Sequence, residues 1–169
     1  HISNFNILGI TSKTNKNSKK ISAKYNIKKI YNNYMEMVLD PKIKDVLIIV
    51  AADQAYEVLT AIIPFKKPIF IEKPICINLS QASKLASKMK TYKTLNMVGY
   101  NRRHYSVFHK GLKIIKDHGE LYGITIEGHE RYWNLENIKN KKILDNWHFI
   151  NSSHTIDLIR FFGGEIENF

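Results

Sequence analysis

Few features of the sequence point to a compartment other than the cytoplasm. The 169 residues contain a single cysteine, Cys76, so no internal disulfide bond can form, and this suits a reducing compartment. No apolar run approaches the roughly 20 residues of a membrane-spanning helix. The first ten residues also lack the charged start and apolar middle of a secretory signal. We therefore expect a cytoplasmic protein without a membrane partner.

The sequence also lacks a glycine-rich phosphate loop, because its eight glycines form no G-x-G-x-x-G pattern. Taken alone, this absence counts against dinucleotide binding. However, the chain starts at His1 and enters an apolar strand at once, and it ends on GGEIENF, which resembles the beginning of another strand. We therefore expect an internal fragment, for which the missing loop says nothing about nucleotide binding.

Acidic residues are scarce: 15 Asp and Glu stand against 26 Lys and Arg, which gives a formal net charge of +11. Such a charge raises the possibility of a nucleic-acid partner. The densest basic stretch, residues 13–29, alternates lysine with Asn and Ser and has no recognisable groove-reading motif. We interpret this stretch as a solvated basic surface. Nucleic-acid binding is an alternative that depends on net charge alone.

Up to residue 100, short apolar runs alternate with stretches of helical periodicity. The predicted strands are 5–11, 28–31, 45–52, 68–73 and 94–100, and the predicted helices are 18–27, 33–40, 54–63 and 78–90. The third and fourth strands are almost continuously apolar, which is typical of strands covered on both faces. This order predicts an α/β fold, a Rossmann-type doubly wound parallel sheet with ligands at the carboxyl ends of its strands.

The pattern changes after residue 100, where we place a domain boundary. Residues 1–100 are predicted to form a partial nucleotide-binding domain, and residues 101–169 the start of an α+β substrate domain. In the second part we predict a helix at 103–119, a strand at 122–133, a polar loop at 134–146 and a helix at 150–164.

An EKP motif, Glu72-Lys73-Pro74, lies at the carboxyl end of the fourth predicted strand. A lysine at such a place can lose hydration or lie near other cations, and its pKa then falls towards the range of acid–base catalysis. Pro74 fixes the turn that leaves the strand, and its peptide bond is a candidate for the cis form. The alternative is a solvated loop lysine, since lysine is usually exposed.

Two further motifs contain polar side chains in patterns that suit a site. HTIDLIRFFGGE places His154, Asp157 and Arg160 on neighbouring faces of a helix, either in a site or as an exposed stripe with an Asp157–Arg160 surface ion pair. VGYNRRH contains Asn101 and Arg102 at the end of the last predicted strand. The paired arginines of this motif, Arg102 and Arg103, either face a cofactor phosphate or only begin the next helix.

The order of the three motifs is more informative than any of them alone. EKPI, followed by VGYNRR and then by HTIDLIRFFGGE, resembles the glucose–fructose oxidoreductase and inositol dehydrogenase (Gfo/Idh/MocA) family. IIVAADQAYEVLTAI is similar to the strand-to-helix segment that precedes EKP in that family. The resemblance spans the whole chain and corresponds to about half of a family member. The first strand with its glycine loop, and most of the open sheet of the second domain, would be missing.

The resemblance implies an oxidoreductase that uses NAD or NADP on sugars, polyols or related carbonyl compounds. Lys73 would match the active-site lysine, and His154 would match the catalytic histidine that exchanges a proton with the substrate oxygen. Such a pair suits hydride transfer, which develops alkoxide character. The residues implied or predicted to contact the cofactor are Ser12, Lys13, Glu72, Pro74, Asn101 and Arg102.

The sequence departs from the family pattern at two places. Four residues before the histidine, where many members have an aspartate, it has Ile150. The nearest polar substitutes are Asn151, which cannot carry a proton, and His148, which is more easily interpreted as a loop residue. At the end of the strand at 5–11, Ser12 and Lys13 replace the acid that favours NAD. A hydroxyl and a cation suit a 2′-phosphate, so we predict NADP in preference to NAD.

These observations lead to one predicted function and one alternative. The prediction is an NAD(P)-dependent dehydrogenase or reductase with Lys73 and His154 as acid–base groups, a sugar-like substrate and no metal site. A homo-oligomer is expected for the complete protein. The alternative is a non-catalytic relative that binds a sugar or a partner without turnover, which the missing loop and Ile150 suggest.

Overall fold

A computed structural model of the chain describes residues 5–128, 135 and 137–168. The strands in this part of the chain are β1 (Gly9–Ile10), β2 (Lys29–Ile30), β3 (Val46–Ile48), β4 (Ile69–Ile71) and β5 (Asn96–Val98). The helices between them are α1 (Lys16–Tyr25), α2 (Tyr34–Leu39), α3 (Ala52–Ile62) and α4 (Leu79–Tyr92). A 3₁₀ helix, Ile63–Phe65, follows α3 directly. Strands and helices thus occur in the predicted order, although each strand is shorter than its apolar run.

The strands pair in parallel and form two sheets. β1 pairs with β2, while β3, β4 and β5 form a three-stranded sheet in that order. Helices α3 and α4 connect the neighbouring strands of the larger sheet, as parallel pairing requires a crossover. The predicted α/β fold with a Rossmann-type parallel sheet is therefore confirmed.

The core lies on one face of the three-stranded sheet. Val46 and Ile48 of β3 and Ile69 and Ile71 of β4 are each no more than 5% exposed. They belong to a cluster of buried residues that also includes Leu59 of α3. The β-branched side chains suit a pleated surface covered by helices.

The opposite face of this sheet is exposed, although the sequence predicts that both faces are covered. Leu47, Phe70 and Met97 lie side by side in register across β3, β4 and β5, and they are 57%, 41% and 50% exposed. The prediction that β3 and β4 are covered on both faces is therefore wrong for the described chain. Both crossover connections have the same handedness and run in the same direction across the sheet, so α3 and α4 lie on the same face. The continuous apolar runs of β3 and β4 therefore do not show that both faces are covered.

A hydrogen-bonded network around Asp40 joins β2 to the segment that leads into β3. The Asp40 carboxylate accepts from the Tyr31 hydroxyl at 2.7 Å, the Lys29 ammonium at 2.8 Å and the Lys42 amide at 2.9 Å. Lys67 Nζ donates to the Asp40 carbonyl oxygen at 2.8 Å. Tyr31 is only 1% exposed, so its hydroxyl needs this acceptor.

Two side chains cap the start of α4. Asn78 Oδ1 accepts from the Gln81 amide at 2.9 Å, and Gln81 Oε1 accepts from the Ile77 amide at 3.1 Å. Side-chain oxygens thus accept from two amides at the helix start. This cap fixes where the chain leaves the EKP segment and becomes helical.

Beyond β5 the chain is helical wherever regular structure is present in the described residues. It forms a 3₁₀ helix, Asn101–His104, and the helices α5 (Ser106–His118), α6 (Lys141–Asp145), α7 (Trp147–Asn151) and α8 (Ser153–Gly163). Gly119 ends α5 as predicted, with φ at 134°. Within the described ranges, no helix has the length and apolar character that crossing a membrane requires.

Three predictions for this second part need correction. Residues 122–128 form no strand, because no described strand lies beside them to complete a hydrogen-bonded ladder, and residues 129–133 lie outside the described residues. The predicted loop at 134–146 contains α6, whose first turn is capped by Asn140. The predicted helix at 150–164 is interrupted at Ser152, which separates α7 from α8.

Candidate active site

Lys73 lies at the carboxyl edge of the three-stranded sheet, two residues beyond β4. It is half-buried and is followed by a buried Pro74, and the peptide bond between them is cis. Its Nζ donates to the backbone carbonyl oxygen of Ile150 on α7 at 3.1 Å. The ammonium group is therefore held between the sheet edge and the second half of the chain, where ligands bind in parallel α/β sheets.

Glu72 and Gly99 lie at the ends of the adjacent strands β4 and β5. The Glu72 amide donates to Ile48 O at 2.9 Å, and the Gly99 amide donates to Ile71 O at 2.8 Å, which continues the pairing past the strand ends. A Cβ placed on Gly99 would lie 3.2 Å from Glu72 Oε2 and 3.4 Å from Ile71 O. Glycine at this position lets the Glu72 side chain lie over the end of β5.

His154 is the second residue of α8 and is buried, with 9% of its surface exposed. The Tyr100 ring meets it edge-on, with ring centroids 5.9 Å apart and planes at 78°. Its Nδ1 is buried, and within the described residues it has no hydrogen-bond partner. The imidazole is thus fixed by packing, while a ring nitrogen remains able to bind a polar atom.

Burial lowers the pKa of His154, and the positive charges of Lys73 and Arg102 lower it further, whereas Asp157 acts in the opposite direction. Lys73 and Arg102 are therefore close enough to the imidazole to act on its charge. Lowering the pKa favours the neutral ring at pH 7. The neutral imidazole is the form that can accept a proton.

The remaining predicted cofactor residues lie at two places. Asn101 and Arg102 are in the 3₁₀ helix after β5, where Asn101 is exposed and Arg102 is half-buried, with its charge acting on His154. Ser12 and Lys13 follow β1 in the two-stranded sheet, where Ser12 Oγ accepts from Ser18 Oγ at 2.7 Å and Lys13 is exposed. The structure thus places Lys73 and Arg102 where their charges act on His154, and it places Ser12 and Lys13 after β1 of the other sheet.

Comparison with known proteins identifies the family. Residues 1–100 match the sequence profile of Gfo/Idh/MocA, described as an oxidoreductase family with an NAD-binding Rossmann fold. The chain belongs to the Gfo/Idh/MocA oxidoreductase family. The resemblance stated from the sequence motifs is thereby confirmed.

Curated relatives carry inositol dehydrogenase names. The chain is 26% identical to myo-inositol 2-dehydrogenase of Thermotoga maritima over 99 residues, which cover 59% of this chain and 28% of that protein. It is 29% identical to inositol 2-dehydrogenase of Salmonella typhimurium over 116 residues, which cover 68% of this chain and 34% of that protein. These matches cover about a third of the length of the relatives.

A solved structure supports the same fold. Apo scyllo-inositol dehydrogenase of Lactobacillus casei matches with a TM-score of 0.75 at 17% identity, over 92% of this chain and 46% of that one. At this identity the likeness concerns the fold alone. The domain boundary near residue 100 coincides with the end of the matched profile and stays a prediction.

Sequence reasoning missed the main ion pair of this Gfo/Idh/MocA chain. Arg103 donates to the buried Asp157 through Nε at 2.7 Å and through a terminal nitrogen at 2.6 Å. The surface ion pair between Asp157 and Arg160 that the sequence suggested as an alternative is therefore not formed. Arg160 instead pairs with Glu165 at 2.6 Å. Arg103 and Asp157 are 54 residues apart, so no local spacing could have revealed the contact.

The departure from the family pattern at Ile150 has a structural counterpart. The side chain of Ile150 offers no charge, but its backbone carbonyl accepts from Lys73. His148, interpreted from the sequence as a loop residue, instead lies on α7 and is exposed. A neutral carbonyl oxygen thus contacts the lysine in this chain.

Proposed function

We propose that this chain belongs to an NAD(P)-dependent dehydrogenase that transfers a hydride between nicotinamide and a hydroxyl-bearing carbon of a sugar or polyol. The observation that supports it most is the buried His154, whose pKa is lowered and whose Nδ1 lacks a partner in the described residues, beside the cations Lys73 and Arg102. The family match and the inositol dehydrogenase names of the relatives agree with this reaction class.

The residues at the strand ends fit a dinucleotide. Gly99 keeps space beside Glu72 at the carboxyl edge of the parallel sheet, and His154, whose Nδ1 has no partner among the described residues, packs against Tyr100 just beyond β5. Bound NAD(P) supplies the hydride chemistry. The residues proposed to hold its nicotinamide half are Glu72, Pro74, Asn101 and Arg102.

Ser12 and Lys13 are proposed to hold the adenosine half of the cofactor. They follow β1 where an acidic residue would otherwise repel a 2′-phosphate, and Lys13 is exposed and able to approach one. We therefore propose NADP in preference to NAD. Lys13→Glu should weaken NADP binding more than NAD binding, as measured by isothermal titration calorimetry. Equal effects on the two cofactors would argue against this preference.

Lys73 and His154 are proposed to divide the acid–base work. The neutral His154 ring accepts the proton of the substrate hydroxyl, and its low pKa keeps it in the accepting form at pH 7. The Lys73 ammonium stabilises negative charge that develops on the same oxygen. In the reverse direction the protonated ring returns the proton.

The test is polyol-dependent reduction of NADP and NAD, with myo-inositol as the first substrate, followed by the absorbance of the reduced nicotinamide. His154→Gln and Lys73→Met should each lower kcat by about 10²–10⁴-fold, whereas His148→Gln and His118→Gln should retain activity. Unchanged kcat in both His154→Gln and Lys73→Met would refute the assigned roles.

A non-catalytic relative is the second candidate, and the neutral Ile150 carbonyl beside Lys73 is the observation that favours it. Such a protein would bind NADP or a polyol in calorimetry without any reduction of the cofactor. Ile150→Asp separates the two functions, since it restores the charge common in the family. Activity that appears only in Ile150→Asp would support the non-catalytic alternative for the natural chain.

A further inference from the structure

We propose that Arg103 is a positioning residue of the candidate site. Its guanidinium donates two hydrogen bonds to the Asp157 carboxylate, and this contact fixes α8, together with the His154 ring, against the carboxyl end of β5. The inference depends on the proposed function for its catalytic meaning. The contact between Arg103 and Asp157, however, can be tested without any measurement of turnover. The sequence motifs do not pair Arg103 with Asp157.

The contact between Arg103 and Asp157 is short and two-pronged. Nε and a terminal nitrogen of Arg103 donate to separate carboxylate oxygens at 2.7 Å and 2.6 Å. Asp157 is only 5% exposed, while the Arg103 side chain is 36% exposed. Two parallel hydrogen bonds fix the orientation as well as the distance between the groups. A single ammonium group cannot reproduce this geometry.

The pair connects two segments that both carry parts of the site. Arg103 belongs to the 3₁₀ helix after β5, directly beside Arg102, and Asp157 lies one helical turn beyond His154 on α8. Tyr100, just before the same 3₁₀ helix, packs edge-on against the His154 ring. The segment after β5 therefore holds α8 at two places, which restricts rotation of the helix and displacement of the imidazole.

Arg103 is also paired with a carboxylate whose charge acts on His154. The charged groups that act on the imidazole are Lys73 and Arg102 from the strand ends and Asp157 from α8 itself. Lys73 and Arg102 lower the pKa of His154, and Asp157 raises it. Because Arg103 is hydrogen-bonded to Asp157, its positive charge compensates the carboxylate. Loss of the Arg103 charge would strengthen the effect by which Asp157 raises the pKa of His154, and it would favour the protonated ring, which cannot accept a proton.

The decisive experiment measures His154 itself rather than turnover. The full 169-residue chain is labelled at its histidines, the His154 signal is assigned with His154→Gln, and NMR titrations compare the wild type with Arg103→Gln, Arg103→Lys and Asp157→Asn. We expect Arg103→Gln to shift the His154 titration to higher pH and Asp157→Asn to shift it to lower pH. The other histidine signals serve as the internal control.

Arg103→Lys separates charge from geometry and covers the case in which Arg103→Gln does not fold. A lysine keeps the compensating charge, so the His154 titration should stay close to that of the wild type. The nuclear Overhauser effect between the Tyr100 and His154 rings should weaken, because the two-pronged contact is lost. An unchanged Tyr100–His154 contact in Arg103→Lys would overturn the positioning role.

A purely structural role predicts a different result. Arg103→Gln would then lower the thermal midpoint of unfolding while leaving the His154 titration in place, and this outcome would also overturn the proposal. The activity assay is run separately on the same variants. A wild-type chain without activity would count against the proposed function, whereas the His154 titrations would still decide the role of Arg103.

Discussion

At the scale of single residues, the packing of Tyr31 depends on the absence of a side chain at Gly9. A Cβ at Gly9 would collide with the Tyr31 ring and approach Lys29 O at 3.2 Å, and Tyr31 is 1% exposed. Gly9→Ala should therefore lower the free energy of unfolding by about 1–3 kcal/mol, as over-packing of a core does. Urea denaturation followed by circular dichroism measures the change.

Gly111→Ala is the matched control for that substitution. A Cβ at Gly111 meets nothing within 4 Å, and the residue lies inside α5. Alanine should therefore raise the free energy of unfolding by about 0.5–1 kcal/mol, because it restricts the unfolded chain and favours helix. Equal effects of the two substitutions would show that the Gly9–Tyr31 contact does not limit packing.

Asp40 should make the chain sensitive to acid. Hydrogen bonds from Lys29, from the Lys42 amide and from Tyr31 hold the pKa of Asp40 well below its usual range. Its folded pKa is lower than its unfolded pKa of about 4. Its stabilising contribution is therefore complete above the unfolded pKa and is lost as the pH falls towards the folded pKa.

The comparison of the wild type with Asp40→Asn tests this acid sensitivity. Urea denaturation from neutral pH downwards should show the wild type more stable at neutral pH, with the difference shrinking as the pH falls. Asp45→Asn, at an exposed position in the same segment, should follow the wild-type curve throughout. A difference between wild type and Asp40→Asn that stays constant with pH would contradict the assignment.

At the scale of elements, the three-stranded sheet has a buried face and an exposed face. Ile69 and Phe70 are neighbours on β4, but they are 3% and 41% exposed. Ile69→Ala should cost about 2–5 kcal/mol of unfolding free energy, and Phe70→Ala should cost clearly less. Thermal unfolding of the two variants side by side measures the difference, and similar losses would mean that both faces are covered.

The order of strands and helices up to residue 100 was predictable because local signals agree with the tertiary fold. β-branched runs mark β3 and β4, and the Asn78–Gln81 cap marks the start of α4. The exposed face of the sheet was not predictable, since an apolar run shows what a strand contains and not what covers it. Helix α6 was missed because its sequence is mostly polar and its cap, Asn140, also suits a loop.

At the scale of the whole molecule, the order of the motifs led to Lys73 and His154, while contacts distant in sequence remained invisible. The Lys73 bond to Ile150 O spans 77 residues and uses a backbone atom that no side-chain pattern reports. The Arg103–Asp157 pair was hidden in the same way, because a helical spacing of three residues suggested Arg160 as the partner. Tertiary structure alone pairs side chains across such separations.

Net charge is a property of the whole chain, and α1 concentrates part of it. Lys16, Lys20 and Lys24 are exposed and repeat at four-residue intervals on α1. Like charges at this spacing repel, whereas opposite charges attract. Lys20→Glu replaces two repulsive neighbours with two attractive ones and also lowers the overall positive charge from +11.

Lys20→Glu should therefore raise the free energy of unfolding by about 0.5–1.5 kcal/mol at low ionic strength. The gain should fade in about 1 M salt, where exposed charges are screened within roughly 3 Å. Lys20→Gln removes the repulsion without adding attraction, so its gain should be about half as large. Urea denaturation at both salt concentrations provides the measurement. A gain that persists in high salt, or an equal gain for Glu and Gln, would point to helix propensity instead of charge.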